Sequence, residues 1–177
     1  INPTRTGVVP NYRMAATNWW MGWKIYGYGT HGFLYFPQFI ILFTPFNLIR
    51  PHVLGEIIWR LAGFSLFVGV LWRLQGMLRR EAWRADWVFL ALILLAVPAS
   101  LASINNGQTN LPLSAVLVLS ALSLREERWK WAAVFLTVGV ILKPIGLAPC
   151  LLAFAVFPRM RIPLLVCFAV FMAIGFA

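Results

Sequence analysis

Apolar residues come in long blocks along this chain, and polar residues gather in the gaps between them. The blocks run from Phe33 to Ile49, Val53 to Leu71, Trp87 to Ile104, Leu111 to Leu124 and Trp131 to Leu142. A shorter return follows from Ile145 to Phe157, and a last run starts at Ile162. Several approach the roughly 20 residues a helix needs to cross a bilayer. Runs such as Val88–Val97 do not alternate, which argues against transmembrane strands. In lipid the backbone must satisfy its own hydrogen bonds, so these blocks are expected as helices. The pattern predicts an all-α, multi-span transmembrane bundle of about six apolar segments over residues 33–177.

Residues 1–32 differ. From Tyr12 to Ile25 apolar residues recur near helical spacing, with Arg13 and Lys24 at the ends. This predicts an amphipathic helix lying in the membrane interface, followed by a loop from Gly27 to Gly32. Two blocks carry breaks. Pro37 and Pro45 fall inside the first, which is expected to be a broken or re-entrant span, because proline removes a backbone donor. Lys143-Pro144 separates the fifth block from its return. The chain begins at Ile1 and ends at Ala177 inside an apolar run, so both ends are expected to be truncated.

The chain is 61% hydrophobic and 11% charged, with mean hydropathy +0.80, which excludes a soluble core as the destination of the apolar blocks. A net charge of +10 would suggest nucleic acid, but the 15 basic residues cluster at block ends. Such clusters mark the cytoplasmic side and meet anionic headgroups. They place the loops 73–84, 125–130 and 159–161 on that side. The turn at residues 105–110 and the Lys143-Pro144 break then face away from it. For residues 1–32 the charge pattern leaves both sides open: two crossings before residue 72 put them inside, and a re-entrant first block puts them outside.

Candidate chemistry is sparse. Asn105, Asn106, Gln108 and Asn110 fill a six-residue gap with charge-free donors and acceptors. They suit a boundary site that grips hydroxyl-rich groups such as sugars, or else form a plain polar turn. Lys143 lies deep in apolar sequence before a proline. It reads either as a pocket for a phosphate headgroup at a broken helix or as a snorkelling helix end. Gln38, in Tyr35-Phe36-Pro37-Gln38, is either a cavity wall or part of an aromatic belt. Glu56 and Arg60 can pair across one helical turn, as an interfacial ion pair or as a site. His31 and His52 lack metal-ligand spacing, and no phosphate loop or nucleophilic triad is present, so no metal or cofactor is implied. Cys150 and Cys167 lie in apolar runs and are expected to pack as small hydrophobes.

The order of Tyr12–Tyr26, Tyr35-Phe36-Pro37-Gln38, Pro45-Phe46, Gly107-Gln108-Thr109-Asn110 and Lys143-Pro144 resembles the bacterial polyprenol-phosphate-sugar-dependent glycosyltransferases of family 87. These are GT-C class enzymes that include α-1,2-mannosyltransferases. The resemblance implies an inner-membrane enzyme of roughly twice this length, which passes a sugar from a lipid-phosphate donor to an acceptor hydroxyl on the non-cytoplasmic face. It implies that Gln108 and Asn110 line the external cavity, with Gln38 as a wall. It also implies that Lys143 sits near the lipid phosphate and that Tyr12 and Arg13 belong to the first external segment. Such enzymes use a loop aspartate as general base. It should fall at or before Pro10, yet residues 1–32 hold no Asp or Glu, and Asn11 cannot serve. Either that aspartate precedes Ile1, or the chain is a non-catalytic subunit that kept the fold within a larger membrane complex. A transporter would predict an inverted repeat, and none is evident.

Overall fold

The computed structural model describes residues 7–26, 32–79 and 85–176. Residues 27–31 of the expected glycine loop, and the loop arginines Arg80 and Arg84, lie outside them. The described residues are mostly helical, with no strand among them. The elements are α1 (Val9–Trp20), α2 (Pro37–Leu48), α3 (His52–Arg79), α4 (Ala85–Asn106), α5 (Asn110–Arg125), α6 (Trp129–Leu142), α7 (Leu147–Val156) and α8 (Arg161–Phe176).

Two boundaries differ from the sequence reading. The first helix starts at Val9 and ends at Trp20, instead of running from Tyr12 to Ile25. Pro10 sits in its first turn, where a missing N–H costs nothing. Gly22 then takes a φ of +70°, a left-handed stop that the apolar periodicity did not reveal. The third helix continues past Leu71 to Arg79, through a stretch expected as loop. Leu, Arg, Gln and Met are strong helix formers, and arginines favour a helix C-terminus.

Pro37 opens α2 at its first turn, and Pro45 lies inside it. At 12 residues, α2 is about 18 Å long, too short to cross alone. It packs along α1, where Trp20 Nε1 donates to Thr44 Oγ1 at 2.9 Å. Among the described residues, two helical stretches are long and apolar enough to cross a membrane, His52–Met77 and Pro158–Gly175. A third span forms if α4, bent by 54° after Pro98, is counted as one. Proline removes the interior bond that would hold α4 straight.

An aromatic cluster joins α1, α2 and α3. Tyr12 lies 4.8 Å from Phe39 and Phe43 lies 5.4 Å from Trp59, ring centre to ring centre. Edge-on contacts of this kind add to the burial of the rings. The second half of the chain builds on α6, which packs against α5, α7 and α8. Cys150 is buried and Cys167 half-buried, both as free thiols.

The basic loops meet at one end of the bundle, as charge bias predicts. Arg73 donates to both carboxylate oxygens of Glu126 at 3.0 Å, and Arg159 pairs with Glu127 at 3.5 Å. The amide turn and the Lys143 break meet at the other end. So does α1, since the Val8 N–H donates to the Asn106 carbonyl at 2.9 Å. The side left open for residues 1–32 is therefore, over 7–26, the amide-turn side.

Candidate functional site

The turn after α4 is built to hold its amides still. Gly107 adopts a φ of +66°, which glycine takes without steric cost. The Gly107 N–H reaches the Ile104 carbonyl and the Gln108 N–H reaches the Ser103 carbonyl, both at 3.0 Å. This pair of bonds closes a helix C-terminus and satisfies carbonyls that would otherwise be orphaned. Neighbouring elements take the rest. Arg60 Nε donates to the Ile104 carbonyl at 3.2 Å, and Trp59 Nε1 donates to the Gly107 carbonyl at 2.9 Å. A Cβ on Gly107 would come within 2.3 Å of Val9 Cγ2, so α1 sits directly against the turn.

Lys143 arrives from the opposite wall. The residue before a proline is pushed out of helical geometry, and Lys143 is extended, with φ −164° and ψ 134°. A 3₁₀ turn over Pro144–Gly146 follows. Gly146 lies so close to α6 that a Cβ there would be 2.5 Å from the Gly139 carbonyl group. With its backbone pinned this way, the lysine places Nζ 2.8 Å from Asn110 Oδ1. Asn110 Nδ2 in turn donates to Gln108 Oε1 at 2.8 Å and to Ser103 Oγ at 3.0 Å. The asparagine thus turns its oxygen to the ammonium and its nitrogen to the turn.

Three of the sequence-predicted residues, Gln108, Asn110 and Lys143, therefore form one connected polar network. No carboxylate among the described residues pairs with Lys143. The ammonium is half-buried, and Asn110 is its hydrogen-bond partner among them. An ammonium carries three donors, so two have no partner among the described residues. The 14 residues of α6 span about 21 Å, against about 30 Å of hydrocarbon, so anchoring its basic start at one interface leaves Lys143 short of the other.

The other predicted residues lie elsewhere. Gln38 is buried and donates to the Phe171 carbonyl of α8 at 3.0 Å, joining α2 to α8. The fully buried Tyr12 shares a 2.7 Å hydrogen bond with the Tyr35 hydroxyl. Burial, and then the Tyr35 hydroxyl, push its phenol above the ordinary range, so it stays neutral. Arg13 pairs with Glu56, which also accepts from Arg60 at 3.2 Å. The sequence reading missed Ser103 and Trp59. Ser103 hides in an apolar run, and nothing in the local pattern of Trp59 separates an indole that braces a turn from one in a belt. A narrow cleft beside the turn, lined by Trp59, Arg60, Ser103, Gln108 and Pro112, has room for about one water.

The match to the glycosyltransferase family 87 runs over residues 33–177, most of the chain. The chain belongs to that family. With its apolar helices, this family 87 chain is a membrane protein of glycosyltransferase type. The matched stretch contains Gln38, Gln108, Asn110 and Lys143, while Tyr12 and Arg13 precede it. No curated protein and no solved structure matches the chain.

Proposed function

We propose that this family 87 chain transfers a sugar, with mannose the first to test, from a polyprenyl-phosphate donor to an acceptor hydroxyl. The reaction takes place on the non-cytoplasmic face of a bacterial inner membrane. The observation that carries this reading is the 2.8 Å contact between Lys143 Nζ and Asn110 Oδ1, with no carboxylate among the described residues at the ammonium. A partly desolvated cation held by a neutral amide keeps its charge available for an anion. A phosphate is the anion that a lipid-linked donor brings to this depth. Gln108 and Asn110 offer the hydrogen bonds that hydroxyl groups need.

Transfer to an acceptor hydroxyl also needs a general base. The described carboxylate at this end is Glu56, and Arg13 and Arg60 both hold it. That favours keeping a second reading in view: a subunit of a larger membrane complex that retains the donor pocket without the reaction. Lys143→Met in the intact protein separates the two. If Lys143 holds the donor phosphate, the variant loses transfer and binds donor at least about tenfold more weakly, as expected for a charge-assisted hydrogen bond. Unchanged donor affinity would remove Lys143 from the site. Donor binding by a wild-type protein that transfers no sugar would support the subunit.

A further inference from the structure

The arginine-rich end of the bundle contains an open groove of about 560 Å³ at the starts of α6 and α8. Its charged lining is Arg128, Lys130 and Arg159 against Glu127, three positive groups less one negative, which leaves +2. Two of the cations are partly satisfied. Arg128 Nε lies 3.2 Å from Glu126 Oε2, and Arg159 pairs with Glu127 at 3.5 Å. The Arg159 guanidinium also lies 5.8 Å from the centre of the Trp129 ring. Lys130 has no counter-ion among the described residues. The Arg159 guanidinium, held over an indole, is pre-placed at little further entropic cost.

Exposed apolar side chains flank the groove. Next to Lys130, Trp131 is 58% exposed, and beside the lining Pro163, Ile162 is 74% exposed. Leu165 is 60% exposed, one residue further along from Leu164 on α8. A site with cations at its rim, an aromatic wall and apolar helix surface continuing from it is complementary to an amphiphile with an anionic head. A soluble anion would use the cations alone. A zwitterionic headgroup would bring its own cation against Lys130.

We propose that this groove is a binding site for one anionic phospholipid of the surrounding bilayer. Its phosphate is held by Lys130, Arg128 and Arg159, and its acyl chains lie along Trp131 and Ile162. This site is independent of sugar transfer at the other end. It is also distinct from the general attraction of basic loops to a charged leaflet, because it predicts one retained lipid and names which charges hold it.

The test is native mass spectrometry of the intact protein, released from detergent containing phosphatidylglycerol or phosphatidylcholine. Wild type should retain one phosphatidylglycerol and little phosphatidylcholine. Lys130→Gln combined with Arg159→Gln should weaken retention about thirtyfold, from two interfacial charges. Should the pair fail to fold, Lys130→Gln alone should cost about fivefold, and Lys130→Arg should restore retention. Arg161 carries the same charge at the same end but lies outside the groove and donates to the Phe154 carbonyl. Arg161→Gln should therefore leave retention within about twofold. Three outcomes would overturn the proposal: an equal loss in Arg161→Gln, equal retention of phosphatidylcholine, or displacement of the lipid by inorganic phosphate.

Discussion

The two turns that flank α5 share one backbone design and differ in everything that touches it. Before α5, Gly107 and Gln108 close the end of α4 by bonds to Ile104 and Ser103, with a φ of +66° at Gly107. After α5, Glu127 and Arg128 repeat the pattern, bonding to Leu124 and Ser123 with a φ of +55° at Glu127. The first turn is covered by α1, braced by Trp59 and Arg60, and carries neutral amides. The second is exposed and carries charges that pair across the surface. Turn geometry alone therefore says nothing about function. What decides is whether the turn is enclosed and whether its polar groups are committed to one another or to opposite charges.

Gly107→Ala tests the enclosure and should have the largest effect. A left-handed alanine costs about 1–2 kcal/mol, and its Cβ would meet Val9 at 2.3 Å. Together these should remove about 3 kcal/mol of stability, read as a lowered unfolding temperature in detergent. A loss below about 1 kcal/mol would mean that α1 yields easily and the turn is not tightly enclosed.

Asn110→Ala tests commitment and should rank next, at about 1–3 kcal/mol, because it strips Lys143 of its acceptor and leaves Gln108 and Ser103 short of a donor. An unfolding temperature equal to wild type would show that water replaces the amide without cost. Glu127→Gly should have the smallest effect, with opposite sign. Relief of the left-handed glutamate gains up to about 1 kcal/mol. Loss of the exposed Arg159 pair offsets a few tenths of that. A lowered unfolding temperature in Glu127→Gly would show that the surface pairs at the arginine end matter more to stability than their exposure suggests.

These contrasts also mark what the residues disclosed in advance. The blocks, the proline breaks and the clustering of basic loops follow from local hydropathy and charge, and the helices appear where those patterns lie. The meeting of Lys143 with Asn110 could be anticipated as a common end, since strict alternation of helix direction puts both there. The orientation of the Asn110 amide could not, because it depends on Ser103, whose hydroxyl lies seven residues back inside an apolar helix. Gln38 illustrates the reverse. At the opening of the first apolar block Gln38 reads as a cavity wall or as part of an aromatic belt, and nothing local points to its partner, a carbonyl of α8 far along the chain. Distant partners leave no local trace. The helical stretch 72–79 was obscured for another reason: arginines that read as loop also stabilise a helix end.

The backbone contact between Gly146 and Gly139 leaves the lysine-bearing corner no slack, for no residue larger than glycine fits between these two segments of backbone. The facing wall is different in kind. Ser103 rides on the part of α4 beyond Pro98, angled 54° from the part before it. That segment is held from outside, by Arg60 at Ile104, Trp59 at Gly107 and the Val8 N–H at Asn106, so α3 and the start of α1 together fix the wall that faces the ammonium.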